Sequence, residues 1–391
     1  MKIAIVVNGF PENSETFIIN KVIALANAGH LINVIRLNRM GNASLKKLYK
    51  FSEFKNIEII DPFVPTTISS LSASAFLRPI LFLKSFNYNK RKFYYKLRKN
   101  IYLSIFNNRN YDIIHFEFSG IASNLLDILK YIKPKTVMSC RGSAEKVKLL
   151  TEPSRVENLQ KAMDKIIAIH CVSNDMKITI APYCKNINKV FINRPAIDPF
   201  FFKPEKVKHN FDGTLILSIG RFTFQKGYLF SVLAIKNLID KGHKIEWHVI
   251  GDGPQQEEMI FHINALGIEK NVVLHGKRNK DEVQSWLNRA DIFLLTSVYE
   301  GIPNVVLEAM AMELPVVTTK SGGVDEVIEH GVDGLIAPLY DVSAIAILIE
   351  QLINDKILFQ QIGKQARKKI LADYTLERQL RVFEDAYKNM L

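Results

Sequence analysis

Two glutamates, Glu300 and Glu308, bracket the run Gly301-Ile302-Pro303-Asn304-Val305-Val306-Leu307. Carboxylates at this spacing can take hydrogen bonds from hydroxyl groups. Pro303 suits the first turn of a helix, and Val306, Leu307, Ala309 and Met310 give that helix one apolar side. Upstream, Asp291 to Ser297 is an almost continuous apolar run, which predicts a parallel strand buried on both faces. Glu300 then falls at a strand's carboxyl end, with Glu308 about one turn inside the following helix. Free N–H groups at a helix start attract anions, and in an open α/β sheet ligands lie beyond the strand ends. A phosphorylated, polyhydroxyl ligand answers both properties. Taken alone, the pair reads more readily as two solvated helix-surface residues, and it is the surrounding context that favours a ligand.

Cations recur at similar junctions. Thr214 to Ile219 predicts a strand running into Gly220-Arg221-Phe222-Thr223-Phe224-Gln225-Lys226-Gly227, with a helix from Tyr228. Glycines at both ends let backbone approach a ligand, while Arg221 and Lys226 set two cations in one loop, a number that suits a diphosphate. Gly251-Asp252-Gly253-Pro254 and Gly276-Lys277 mark two more strand-to-helix junctions, the first readable as turn chemistry alone. In the first half, Arg141-Gly142-Ser143 follows the predicted strand Lys135 to Cys140. Arg141 there can bind phosphate or carboxylate bidentately, or form an ion pair with Glu145 or another residue. His115, in the predicted strand Asp112 to Glu117, is open to a buried structural role or a catalytic one. Ser14 or Glu15 stands near the start of an amphipathic helix, Phe17 to Ala28, as a cap or a ligand contact.

The elements that must position these residues alternate strand and helix from Lys2 onward, which predicts an α/β fold. With 391 residues the chain exceeds the size at which single cores stop growing. The boundary is placed at the proline-bearing stretch after Asn193, giving domains over residues 1–200 and 201–374, with a final amphipathic helix over 375–391. No stretch at the start has the order of a signal peptide, no uncharged apolar run reaches membrane-spanning length, and Cys140, Cys171 and Cys184 fit reduced thiols in a cytosol.

The net charge of +13 is uneven, with +16 in residues 1–200 and −3 in the remainder. Between Asp61 and Asp112, basic residues from Arg78 to Arg109 interleave with aromatics such as Phe82, Tyr94 and Tyr102. This composition fits an anionic membrane surface, a plain solvated face, or nucleic acid.

Together, Gly220-Arg221, Lys226-Gly227, Gly251-Asp252-Gly253-Pro254, Glu300 with Glu308, and Gly322-Gly323 resemble glycosyltransferase family 4, clearly over about 215–340 and more loosely in the first half. The opening Phe10-Pro11 with Ser14-Glu15-Thr16-Phe17 resembles the branch that builds bacterial capsule, exopolysaccharide or lipopolysaccharide. The resemblance implies the GT-B architecture, two facing Rossmann-like domains with the last helix crossing back onto the first. It implies transfer from a nucleoside-diphosphate sugar, UDP foremost, to a glycan or lipid-linked acceptor, with retention and without metal or other cofactor. By position, Arg221 and Lys226 would hold the diphosphate, Glu300 the transferred sugar and Glu308 the ribose. Asn304, Val305 and Val306 would cap sugar and phosphate through backbone N–H groups, with Gly276 and Lys277 beside the base and Gly220 and Gly251 admitting the donor. Ser14, Glu15, His115, Arg141 and Gly142 would line the acceptor or phosphate side. Where many members carry His before Gly, this chain has Arg141-Gly142, and a guanidinium cannot act as a base at neutral pH. The expected location is cytoplasmic, peripheral at the inner face of the plasma membrane through residues 78–109, with no nucleic acid bound. The competing expectations are a nucleic-acid-binding protein built on the basic first half and a catalytically silent GT-B scaffold.

Overall fold

The computed structural model describes residues 1–11, 15–38, 51, 53–62, 90–205, 207 and 209–391, and within the helix Lys90–Asn107 the side chains from residue 96 onward. Ser14 and the basic, aromatic residues between 78 and 89 lie outside the described residues, as do the side chains of residues 90–95.

The apolar runs become two parallel sheets. The first has the order β3-β2-β1-β4-β5-β6-β7, formed by β1 (Lys2–Val7), β2 (Leu31–Arg36), β3 (Ile57–Ile60), β4 (Ile113–Phe116), β5 (Lys135–Cys140), β6 (Ala168–Cys171) and β7 (Val190–Ile192). The second has the order β10-β9-β8-β11-β12-β13, formed by β8 (Thr214–Ile219), β9 (Ile245–Ile250), β10 (Val272–Leu274), β11 (Ile292–Leu295), β12 (Val316–Thr319) and β13 (Leu335–Ala337). Strands such as Ile292–Leu295 are buried at every residue because helices cover both faces, so their sequence is continuously apolar rather than alternating.

In each sheet the strand order reverses once, between β1 and β4 and between β8 and β11. There successive crossover helices go to opposite faces, and the loops beyond the two central strands part to leave a crevice. The loops after β8 and β11 carry Arg221, Lys226 and Glu300, so topology alone brings these distant residues together.

The helix Leu376–Lys388 does not pack on the second sheet. Its Phe383 and Tyr387 are buried in the core of the first sheet, with Ile18, Val22 and Leu25 of the helix Thr16–Asn27. Its course back is fixed by hydrogen bonds to main-chain carbonyls: Ile197 N–H donates to the Tyr374 carbonyl at 3.0 Å, and the Asn193 side-chain Nδ2 donates to the Gln379 carbonyl at 2.9 Å. Among the described residues no helix is long and apolar enough to cross a membrane.

Candidate active site

The loop after β8 is shaped by what it must pass. Gly227 has φ +59°, and a Cβ there would lie 2.3 Å from the Thr296 carbonyl oxygen, so only glycine lets the helix Tyr228–Asp240 start against the end of β11. The Thr296 hydroxyl donates to the Gly227 carbonyl at 2.9 Å, joining the two loops. The strand-end glycines are linked in series: Gly220 N–H donates to the Ile250 carbonyl and Gly251 N–H to the Gly276 carbonyl, each at 3.0 Å. Gly220, Gly251 and Gly276 therefore share one rim. Lys277, next along it, is exposed.

Lys226 and Glu300, far apart in sequence, meet across the β8–β11 crevice with Nζ 2.6 Å from Oε1. The Ser297 hydroxyl donates to the same oxygen at 2.8 Å, and the Gln225 amide donates to Oε2 at 3.1 Å. Glu300 is buried, so this pair and its hydrogen bonds hold one carboxylate in a fixed place. The two loop cations are consequently not equivalent. Lys226 is balanced by Glu300, whereas Arg221 is exposed and has no ion pair among the described residues.

Pro303 is the N-cap of the helix Asn304–Ala311, one position earlier than first-turn placement, and no side chain caps this end. Val306 N–H donates to the Pro303 carbonyl at 3.1 Å, which corrects the expectation that it is free for a ligand. The N–H groups of Asn304 and Val305 have no acceptor among the described residues, as the first donors of a helix have none within it. Glu308 lies one turn in. Its carboxylate has no hydrogen-bond partner among the described residues, and burial pushes its pKa up to about 7 against the weaker pull of Lys280.

The first domain meets this loop directly. A Cβ on Gly301 would sit 2.6 Å from the Arg141 carbonyl oxygen and 2.7 Å from a Val172 methyl, and one on Gly323 would sit 2.7 Å from the Ser173 Cβ. The missing side chains let the carboxyl ends of both sheets close on each other. Glu326 ties them further: its carboxylate accepts from Asp175 N–H at 2.9 Å and from Arg194 Nη2 at 2.7 Å.

Arg141 thus stands one residue's breadth from Glu300, but its counter-ion is not Glu145. Its Nη2 pairs with the Glu117 carboxylate, its Nε donates to the Glu117 carbonyl at 3.1 Å, and its guanidinium lies 4.4 Å from the centre of the Phe17 ring. Glu145 turns instead to the N–H groups of Arg141 and Gly142, both at 3.2 Å, because these head a short helix that wants an acceptor.

His115 is corrected as an acceptor contact. It is fully buried, with Nδ1 2.7 Å from the Tyr387 hydroxyl and 2.9 Å from Lys21 Nζ, and Nε2 2.8 Å from the Ser139 hydroxyl. Burial and then Lys21 hold it well below the ordinary imidazole value, so it is neutral. Glu15 is the N-cap residue of its helix without a side-chain cap bond.

Two parallel α/β sheets whose crevices face each other, with a cation–carboxylate pair in the second, make up the GT-B architecture. Residues 200–369 match the family model described as glycosyl transferases group 1. The chain is 26% identical to the amylovoran biosynthesis glycosyltransferase AmsK of Erwinia amylovora, covering 96% of each. It is 25% identical to the putative colanic acid biosynthesis glycosyltransferase WcaL of Escherichia coli strain K12, again over 96% of each. Among solved structures it shares its fold with Anabaena HepE in complex with UDP, at TM-score 0.74 and 14% identity over 99% of each chain. The sucrose-phosphate synthase of Thermosynechococcus elongatus aligns at TM-score 0.79 and 15% identity over 100% of this chain and 99% of that one. The family match thus falls on the second sheet and its helices, and the relatives that span the whole chain are glycosyltransferases of polysaccharide biosynthesis.

Sequence reasoning missed Lys21 and Glu117. The signal was present: Lys21 is the one charge among the buried positions Ile18, Val22, Leu25 and Ala26 of its helix, a placement that demands a buried partner.

Proposed function

We propose that the chain is a retaining, metal-independent glycosyltransferase. It moves a sugar from a nucleoside-diphosphate sugar, UDP foremost, to a glycan or lipid-linked acceptor in bacterial surface polysaccharide synthesis. The observation that carries this reading is the convergence of Arg221, Lys226 and Glu300 at the β8–β11 switch point, with Glu308 one helical turn behind. Arg221 and Lys226 bind the donor diphosphate and neutralise charge as it departs. Glu300 accepts hydrogen bonds from the transferred sugar and Glu308 from the ribose. The N–H groups of Asn304 and Val305 face sugar and phosphate at the helix start. Gly276 and Lys277 lie beside the base, and Gly220 and Gly251 admit the diphosphate.

Transfer proceeds on one face of the sugar. The anomeric carbon–phosphate oxygen bond breaks, the acceptor oxygen bonds to the same face, and its proton passes to the departing diphosphate. Arg141, always protonated, and His115, fully buried, leave that role to the phosphate. Polysaccharide synthesis is supported by the biosynthetic names of AmsK and WcaL, and UDP by the HepE complex. The basic residues of 78–109 attract an anionic, cytoplasm-facing lipid surface.

A thermal-shift screen of nucleoside-diphosphate sugars tests the reading, since a ligand that binds only the folded chain raises Tm. A rise with a uridine donor, lost in Arg221→Ala, is expected; no rise with any uridine or guanosine donor overturns it. Product NMR reads the anomeric configuration, a chelator reads metal dependence, and vesicle co-sedimentation reads membrane binding.

A further inference from the structure

Beneath Arg141 lies a charged group that the transfer chemistry does not use. Glu117, with no solvent exposure, is shared by two cations: Oε1 accepts from Lys21 Nζ at 2.5 Å and Oε2 from Arg141. Lys21 is itself 2% exposed, and its ammonium lies 4.1 Å from the centre of the Phe383 ring. The Arg141 guanidinium is consequently fixed on three sides. Nε and Nη2 are held by Glu117, and one face rests on Phe17. Nη1 has no partner among the described residues. The residue that carries it touches Gly301, beside the buried Glu300–Lys226 pair.

Paired with Glu117 alone, Arg141 would be electrically cancelled. Lys21 makes the trio net positive, and in a site shielded from water that single charge acts strongly on an anion. We propose that Lys21 and Glu117 are positioning residues for Arg141, which they hold as a net-positive, one-nitrogen donor for a phosphate oxygen at the junction of the two domains. The choice of phosphate rests on the glycosyltransferase reading. The phosphate belongs either to the donor diphosphate or to a phosphorylated acceptor.

The groups around Lys21 make its charge adjustable. His115 faces it from β4 and Glu117 from the residue just after that strand, Arg141 from the end of β5, His170 from β6, and Tyr387 from the last helix. Burial lowers the Lys21 ammonium to about 8 despite Glu117. Burial alone pushes a carboxyl up, but the Lys21 and Arg141 charges hold Glu117 well below its usual range, so it stays ionised while Lys21 titrates. Raising the pH through about 8 therefore takes the trio from net positive to neutral.

Binding of UDP and of inorganic phosphate, each alone and at fixed ionic strength, tests this on the full chain by calorimetry at pH 7.5 and 9.5. UDP is nearly fully ionised across that window, and inorganic phosphate only gains negative charge within it, which works against the expected weakening rather than producing it. Expected for at least one probe is a roughly tenfold weakening with pH in the wild type, present already at pH 7.5 in Lys21→Met and absent with pH in Lys21→Arg. An effect on UDP assigns the donor diphosphate; an effect on phosphate alone assigns an acceptor phosphate. Lys21-dependent phosphate binding without any UDP binding upholds the trio and sinks the donor reading. Affinities for both probes unaltered in folded Lys21→Met, or a pH dependence in Lys21→Arg equal to the wild type's, overturns the proposal, as does failure of the wild type to bind either probe. The wild-type and Lys21→Arg arms remain decisive if Lys21→Met does not fold.

Discussion

Replacing Glu308 by Gln separates the stability of the donor site from its function. Burial raises the Glu308 carboxyl from an ordinary 4.5 to about 7. Between those values the folded chain holds a proton that the unfolded chain has released. Wild-type stability therefore falls as pH rises through this window and is lowest, for this group, above pH 7. The shift of about 2.5 units, at about 1.4 kcal/mol each, sets an upper bound of about 3 kcal/mol on the cost of ionising Glu308 in the fold. Gln has nearly the same shape and cannot ionise, so Glu308→Gln removes that cost. At about 2–4 °C per kcal/mol for a domain of this size, its Tm should exceed the wild type's by several degrees at pH 8 and by almost nothing at pH 4. Donor affinity should move the other way. An ionised acceptor binds a hydroxyl about twice as strongly as a neutral one, which predicts roughly tenfold weaker donor binding at pH 8. Scanning calorimetry from pH 4 to 8, with donor titration at the upper end, measures both. A Tm gap that does not widen with pH, or a Gln variant that binds donor as tightly as the wild type at pH 8, refutes the reasoning.

Other outcomes follow from the same geometry. Arg221→Ala should lower kcat by roughly a hundredfold or more. Because Arg221 is exposed, Tm should stay within about a degree of the wild type, which separates a transfer defect from a folding one when rates and melting are measured together. Gly322→Ala should destabilise the second domain by about 3 kcal/mol or more in urea unfolding. Gly322 has φ +65°, and a Cβ would sit 2.0 Å from the Glu300 carbonyl oxygen. Lys21→Met should cost less than the roughly 3–5 kcal/mol of a fully orphaned buried charge, because Arg141 still pairs with Glu117. Adding Glu117→Gln, which strips Arg141 of that partner, should lower the unfolding midpoint further; a double variant more stable than Lys21→Met would show that Glu117 does not hold Arg141.

The alternation of strands and helices was legible because strands buried on both faces are written as unbroken apolar runs, as at Ile292–Leu295. The chemistry-bearing loops were legible because each follows such a run. What remained hidden was pairing. Lys226 and Glu300 look like two unrelated charges until strand order puts β8 beside β11. Arg141 offered Glu145 as the nearer partner in sequence, yet helix-start N–H groups claimed that carboxylate and Glu117 took the guanidinium. His115 was ambiguous for a related reason. A polar residue near the end of a strand reads alike whether it faces a crevice or a helix that returns from far downstream. Here it meets Tyr387, 272 positions away. Val306 shows the limit of counting helix-start donors by residue, since the N-cap carbonyl of Pro303 already takes its N–H.

The return of the helix Leu376–Lys388 to the first sheet also bears on how the chain can be made. Lys21, His115 and Glu117 leave the ribosome early, but the rings of Phe383 and Tyr387 that roof them emerge only after the whole second sheet. Until then the first sheet exposes an apolar face around unroofed charges. The two domains therefore cannot mature as independent vectorial units, and the nascent first half must be kept from self-association while the rest is synthesised.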